Sequence, residues 1–431
     1  MTAQKQIAAA LRGFTFDGAK GLLVRSLPAG FFGGAGSAGV RLAADAFVEA
    51  PRLKHGQPLD QLELARMARV LRNYGGSAVP RLVTVAGIGD FLIGQSLDEL
   101  DEMELTGQVT QRLERVMPEP GTSGSREAVV SEKVAVVTGG AQGLGAEIAR
   151  ILCAAGATVV VADLNSDGAV ESAAQLNSRA GRRVAFPCAV DVTDEISVSA
   201  MIATISAAVG GIDLFVSNAG VLKAGSVTAL SLYDFDSVTR VNYTGFFLCT
   251  KHTAPLMAMQ WRAARTIAAL DAEAACDGGT ARDSNGSADN RRGQLDYFSD
   301  IIQINSKSGL EGSNRNGAYA GAKFGAIGLV QSFAKELVTD GIKVNAICPG
   351  NFFEGPLWSD PDRGLFVEYL RAGKVPGANS IADVKRYYEQ QVPMGRGCHG
   401  EDVVRAILYV VEQKYETGQA VPVTGGQVML S

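Results

Sequence analysis

Beyond residue 132, short apolar runs alternate with polar-faced segments long enough for a helix. The runs fall at 134–137, 158–162, 184–188, 214–216, 301–304, 344–347 and 421–423. Parallel strands need crossovers of about a dozen residues or more, usually helical, and such segments lie between these runs. Most of the runs are apolar throughout rather than alternating, as expected of strands buried on both faces. The pattern predicts an α/β fold, a doubly wound parallel sheet of about seven strands.

The rest of the chain divides around two polar stretches. Residues 118–132 (PEPGTSGSREAVVSE) have linker composition, separating a smaller α/β N-terminal domain (1–117) from the sheet-forming domain (133–431). Residues 272–293 are rich in Gly, Asn, Asp and Ser; with the preceding helix expected to end near Gln260, they suggest an exposed insertion at about 261–296. In the front part, 62–73 reads as a helix, 81–86 as a strand and 97–117 as an acidic amphipathic helix. Gly34-Ala35-Gly36-Ser37-Ala38-Gly39 fits G-x-G-x-x-G, yet it follows no convincing strand and reads as a loop. With 40 basic and 45 acidic residues the net charge is −5, which argues against nucleic acid and an anionic membrane as partners. The six cysteines lack C-x-x-C spacing and read as reduced thiols. No run of about 18 apolar residues and no signal-peptide core is present, so the expected location is cytoplasmic.

The glycine motif with the right context is Thr138-Gly139-Gly140-Ala141-Gln142-Gly143-Leu144-Gly145, directly after the first strand and opening a helix. Glycines let the backbone turn tightly and approach a pyrophosphate, while N–H groups and the dipole at the helix start favour its charge. This is the order of a Rossmann dinucleotide site. The second strand ends at Asp163, about 20 residues past the loop, where a carboxylate accepts from ribose hydroxyls and repels a 2′-phosphate. The expected cofactor is therefore NAD rather than NADP.

With these motifs, the chain from about residue 132 to 431 resembles the short-chain dehydrogenase/reductase superfamily. The resemblance rests on the T-G-x-x-x-G-x-G loop, Asp191-Val192, Ser217-Asn218-Ala219-Gly220, Asn242 within VNYTGFF, Ser306, and Tyr319 to Lys323 reading YAGAK. Thirteen residues separate Ser306 from Tyr319, and Pro349-Gly350 follows the sixth strand. It implies a catalytic set of Asn242, Ser306, Tyr319 and Lys323. It also implies cofactor contacts from Gly139, Gln142, Gly143, Leu144, Gly145, Asp163, Leu164, Asp191, Val192, Asn218, Ala219, Gly220, Tyr319, Lys323, Pro349 and Gly350. Asp191-Val192 would meet adenine, and Asn242 would hold a proton-relaying water. An even-numbered homo-oligomer, dimer or tetramer, is a further implication.

The chemistry of these residues agrees. A free phenol, with a pKa of about 10, is a poor base near pH 7. Lys323 lies one helical turn from Tyr319 on the same face, and a nearby ammonium favours phenolate. Ser306 is suited to hydrogen-bond the reacting oxygen.

The segment IIQINSKSGLEGSNRNGAYAGAKFG and the ending TGQAVPVTGGQVML are similar to the sorbitol-6-phosphate 2-dehydrogenase group. That implies NAD-dependent interconversion of sorbitol 6-phosphate and fructose 6-phosphate. Lys307, with Arg315, Asn351 and Arg363, forms a candidate substrate set; the bases are suited to a phosphate monoester, although each alone also reads as a solvated surface base. After Pro349-Gly350 many relatives place a threonine; here Glu354 stands near that place in NFFEGPLW, and Phe352, Phe353 and Trp358 read either as a substrate lid or as core packing. VPRLVTVAGIGDFLIGQSLDELDE in the front part resembles the tail of class II sugar-phosphate aldolase domains, which bind zinc through several histidines. Of the three histidines (His55, His252, His399) only His55 lies there, so no metal site is expected and the front domain reads as non-catalytic. Alternatives are the same chemistry on another polyol or sugar phosphate or on a hydroxyacyl thioester, and an NAD-binding regulator without turnover, which the intact catalytic set opposes.

Overall fold

The computed structural model describes residues 1–16, 21–28, 46–48, 58–73, 78–85, 87–107, 109, 113–114, 129–277, 298–362, 364–371, 373 and 375–429. The glycine pattern at 34–39, His55, most of the 118–132 stretch and Arg363 lie outside the described residues.

Two compact units emerge, and neither is contiguous in sequence. One comprises Met1–Ser123, Ile202–Asp213 and Thr253–Ser299; the other comprises Gly124–Met201, Leu214–His252 and Asp300–Ser431.

The second unit carries the sheet. Its elements are β1 (Val134–Thr138), α1 (Gly143–Ala154), β2 (Thr158–Asp163), α2 (Ser166–Ala180), β3 (Ala185–Ala189), α3 (Glu195–Val209), β4 (Leu214–Ser217), α4 (Leu232–Thr239), α5 (Gly245–Asp277), β5 (Ser299–Ile304), α6 (Gly317–Leu337) and β6 (Ile342–Pro349). Three short helices follow, α7 (Pro356–Ser359), α8 (Leu365–Arg371) and α9 (Ile381–Gln390), then α10 (Gly400–Glu412) and β7 (Ala420–Val423). Helices α3 and α5 extend into the first unit. The strands form one sheet in the order β7-β6-β5-β4-β1-β2-β3, parallel across β3 to β5 and across β6–β7. All seven strands expected from the sequence are present. The order reverses between β1 and β4, and in such sheets the crevice at the strands' carboxyl ends beside the reversal receives ligands. Ala135 and Val137 share a fully buried core with Ile148, Leu152, Val159 and Val161. Their neighbours Val134 and Val136 are buried as well. Wholly apolar strands follow from that two-sided burial.

The first unit holds a helix at Ala3–Phe14 and a four-stranded sheet ordered Leu23–Leu27, Gly89–Gly94, Leu82–Val85, Ala46–Val48. Its first two pairings are antiparallel and the last is parallel. Helices Gln61–Asn73 and Leu97–Thr106 complete it. The acidic helix expected to reach residue 117 stops at Thr106. Gly107 adopts a left-handed conformation (φ 66°) and its N–H returns to Met103 O, a helix-ending cap. Leu113–Glu114 pairs as strand with Ala78–Val79 instead.

A second correction concerns the insertion. Helix α5 does not end near Gln260 but continues to Asp277. The continuation RAARTIAALDAEAA is rich in alanine, the strongest helix former. Front residues cover one side of it: a Cβ at Gly13 would lie 2.3 Å from Gln260 O, and Phe16 packs on Ala264 and Trp261. Gln61 Nε2 donates to Thr266 Oγ1 (3.0 Å), and Arg72 donates to Leu270 O (2.6 Å).

At the centre of that packing Arg12, almost fully buried, forms an ion pair with Asp213 and donates to Leu22 O (2.7 Å). Gln260 joins the cluster by accepting from Ile212 N (2.9 Å). Removing one member of a buried pair strands the other charge, at a cost of about 3–5 kcal/mol. Arg12→Leu should therefore lower unfolding free energy in urea by about 3 kcal/mol, and Arg12→Leu/Asp213→Leu should recover part of it. Equal stabilities of wild type and Arg12→Leu would contradict this packing.

Candidate active site at the carboxyl ends of the strands

Beyond β1 the chain turns through Gly139 (φ 64°) and Gly143 (φ 58°), left-handed conformations that side chains disfavour. Gly145 is constrained by contact: a Cβ there would lie 2.0 Å from Gly139 O and 2.5 Å from Asn218 Nδ2. Helix α1 thus seats directly on the loop. Gln142 at its N-cap makes no side-chain capping hydrogen bond. Among the described residues the helix start thus has no side-chain cap, which suits a phosphate in that place. The loop after β4 is tied to this one: Asn218 N and Ala219 N donate to Thr138 Oγ1 (3.0 and 3.1 Å), and Asn218 Nδ2 donates to Thr138 O and Gly139 O (3.0 and 3.2 Å). Gly220 completes that turn, where a Cβ would come within 2.8 Å of Asn242 Oδ1.

Asp163 ends β2 against the glycine loop. Its Oδ2 accepts from Ala141 N (3.0 Å) and its Oδ1 from Asn165 N (2.9 Å). A carboxylate offers about four lone-pair sites, leaving room for ribose hydroxyls. Leu164 beside it exposes 73% of its surface, a free apolar face next to the loop. Asp191 Oδ1 is engaged locally by Thr193 N and Oγ1 (2.8 and 2.7 Å), while Val192 is buried. The residues present fit a dinucleotide.

Asn242 lies in a π-helical turn (Arg240–Thr244) between α4 and α5. Its Nδ2 donates to Val221 O (2.7 Å) and Val238 O (2.9 Å), while the buried Oδ1 has no partner among the described residues. A buried acceptor left open in this way suits an ordered water. Ser306 follows β5, its Oγ accepting from Ser308 N (3.1 Å), and its side chain favours the ionised form of the Tyr319 phenol. Tyr319 and Lys323 stand one turn apart on α6, with Lys323 Nζ 5.5 Å from the Tyr319 ring centroid and donating to Ile304 O (2.9 Å). Ser306, Tyr319 and Lys323 thus meet at the end of β5, while the turn that carries Asn242 packs against α6, where a Cβ at Gly325 would lie 3.0 Å from the Tyr243 ring.

The electrostatics differ from the expectation of a phenol simply drawn down by the ammonium. Burial pushes Tyr319 above its ordinary pKa, and the neighbouring Ser306 side chain pulls it back only in part. Burial also pulls Lys323 down to about 8. Desolvation penalises both charged forms, and the ammonium spends a donor on a backbone carbonyl. Lys323 remains mostly protonated at pH 7. Cys348, which the motif reading passed over, is fully buried near Lys323, its thiol pushed up to about 12 by burial. Only its place in β6, not any spacing, marks it.

The candidate substrate residues are less concentrated. Lys307 opens the 3-10 turn after Ser306, with Nζ 3.8 Å from Glu311 Oε1. Arg315 has a left-handed backbone (φ 57°), and its carbonyl accepts from Gly225 N (2.8 Å). Gly350 N donates to Val423 O (2.9 Å) just past Pro349. Asn351 O accepts from Cys398 N (2.8 Å), and the residue borders a cavity of about 400 Å³ shared with Met394, Arg396 and Thr424. Phe353 and Trp358 stack edge-on (centroids 5.0 Å apart) in a cluster with Phe366, Tyr369 and Tyr388. The segment thus has its own small core. Its start reaches the glycine loop, since a Cβ at Gly143 would lie 3.3 Å from Pro356 Cδ. Glu354, in the place of the usual threonine, sits 3.5 Å from His399 Nδ1.

Residues 133–268 and 297–357 match the family model for short chain dehydrogenases. Sorbitol-6-phosphate 2-dehydrogenase of Escherichia coli (strain K12) is 36% identical over 300 residues, covering 69% of this chain and 99% of that protein. The chain belongs to the short-chain dehydrogenase family. Other family members similar to it include trans-4-hydroxycyclohexanecarboxylate dehydrogenase of Sinomonas cyclohexanicum, 30% identical across 69% of this chain and 93% of the relative. The crystal structure of sorbitol-6-phosphate 2-dehydrogenase from Erwinia amylovora matches with a TM-score of 0.56 at 37% identity, over 69% of this chain and 100% of that one. Family members are oxidoreductases, and the pairing of glycine loop with β4 turn is where this chain suits a nicotinamide dinucleotide.

Gly145→Ala tests that pairing. Its methyl would press on Gly139 O and Asn218, so NADH affinity measured by fluorescence titration should fall at least tenfold, about 1.4 kcal/mol. Unchanged affinity would mean that the loop is not the cofactor seat.

Proposed function

We propose that the chain interconverts sorbitol 6-phosphate and fructose 6-phosphate with NAD(H). The observation that carries the chemistry is Lys323 Nζ 5.5 Å from the Tyr319 ring centroid, held there by Ile304 O (2.9 Å) at the strand end that leads into Ser306. When bound, NAD supplies the hydride acceptor. The chain's own residues manage the proton and the position of the alcohol. Ser306 holds the substrate oxygen, and Tyr319 Oη takes the hydroxyl proton in oxidation or returns it in reduction. Lys323 favours the phenolate by its charge. Asn242 Oδ1 offers the acceptor for a water that carries the proton onward.

NAD is preferred on the argument of Asp163, whose carboxylate repels the 2′-phosphate of NADP. Two relatives named for sorbitol 6-phosphate support the substrate, as does a cation, Lys307, directly after Ser306. The weak, half-exposed pairing of Lys307 with Glu311 is easily exchanged for a phosphate oxygen. The same pairing favours a second reading, a free polyol, in which Lys307 is only solvated. Residues 133–431 are taken as catalytic and the front residues as non-catalytic, since the family model matches from residue 133 onward.

A panel of sorbitol 6-phosphate, sorbitol and other phosphorylated polyols, each with NAD and NADP and followed by NADH or NADPH absorbance, tests this reading. Sorbitol 6-phosphate with NAD should have the highest kcat/KM, and Lys307→Met should cut that value about tenfold while leaving free sorbitol unchanged. Equal use of sorbitol and its 6-phosphate would leave the free-polyol reading standing.

A further inference from the structure

Asn305 lies between the end of β5 and Ser306 and is almost fully buried. Its backbone N–H donates to Ile347 O (2.7 Å), extending the pairing toward β6. Its side chain is then occupied on three sides. Nδ2 donates to Lys323 O (3.0 Å) and to Gln303 Oε1 (2.8 Å), while Oδ1 accepts from Ser306 N (2.9 Å). One amide therefore grips the backbone of the serine and of the lysine, residues far apart in sequence.

The grip is reciprocal. Lys323 Nζ donates to Ile304 O, and the neighbouring Asn305 donates to Lys323 O. The strand end and α6 are stitched at adjacent residues, once through each side chain. The surroundings close on the same amide: a Cβ at Gly309 would lie 2.0 Å from Asn305 Oδ1 and 3.2 Å from the Lys323 carbonyl carbon. The turn bearing Ser306, the amide and α6 are thus in contact with no slack for a side chain between them. A side-chain amide supplies two donors and an acceptor in one plane, which a hydroxyl or a carboxylate of similar size does not.

We propose that Asn305 is a positioning residue for the reaction, setting Ser306 and Lys323 in mutual register so that the serine hydroxyl and the ammonium both address Tyr319. This rests on the catalytic roles proposed above. Small misplacements of reacting groups are costly even when the fold survives. Of the dinucleotide contacts implied by the sequence, only Tyr319 and Lys323 lie at these bonds; the loops after β1, β2 and β4 share none of them.

Kinetics on the full chain, with rates expressed per NADH-binding site, tests the proposal. Asn305→Asp keeps the acceptor for Ser306 N–H and loses both donors; Asn305→Ala loses all three bonds; Gln303→Leu removes one partner of the amide and leaves the rest. The expected result is a kcat at least tenfold lower for both Asn305 variants and two- to threefold lower for Gln303→Leu, with KM for NAD within twofold of wild type. A residue with a merely structural role would reduce the number of binding sites and leave kcat per site unchanged. That outcome in whichever variants fold, Gln303→Leu included, overturns the proposal. Tyr319→Phe is measured alongside: if it keeps turnover, the catalytic assignment itself fails, whereas an inactive Tyr319→Phe with unaltered Asn305 and Gln303 variants removes only the role of Asn305.

Discussion

A buried ammonium must find acceptors, and Lys323 finds one in the carbonyl that ends β5. The hydrogen bond to Ile304 O fixes where α6 crosses the sheet, and with it where Tyr319 meets Ser306. Burying a charge is expensive unless it is hydrogen-bonded, and here the expense appears as a lysine whose pKa has fallen to about 8. In the proposed mechanism this ammonium acts on the neighbouring phenol with little water between them to screen it.

The sheet makes that placement possible. Its order reverses between β1 and β4, and the loops leaving those two strands are laced together through Thr138 and Asn218. β5 neighbours β4, so the dinucleotide seat and the serine turn open from adjacent strands. The glycines of the first loop are demanded in two ways: Gly139 and Gly143 by backbone angle, Gly145 by the proximity of Gly139 O and Asn218.

Much of this is legible in the sequence because its signals are periodic or local. Seven apolar runs give the sheet, and a four-residue spacing places Lys323 on the face of Tyr319. What escapes depends on what covers what. Residues 261–277 read as the start of a polar insertion, because nothing in that segment announces that Gly13, Phe16 and Gln61 lie against it. The signal for helix Leu97–Thr106 outruns the helix itself, because a single left-handed Gly107 stops it while the apolar spacing of Val109, Leu113, Val116 and Met117 continues the pattern. The direction of the Tyr319 shift is hidden for a related reason: spacing reveals the neighbouring cation but not the burial that outweighs it. Asn305, one residue from a motif serine, takes on meaning only once α6 brings Lys323 O within its reach.

The pH dependence of alcohol oxidation in wild type and Lys323→Met, at saturating NAD, addresses the central claim most directly. The phenol acts as base only after losing its proton, so oxidation should rise with pH. Below about 8 Lys323 is charged and favours phenolate; above that its help fades in the free enzyme. Lys323→Met should therefore move the rising limb at least one pH unit upward and lower kcat about tenfold at pH 7, by about 1.4 kcal/mol per unit, with the two enzymes converging at high pH. Superimposable profiles would contradict a role for the ammonium in making Tyr319 a base.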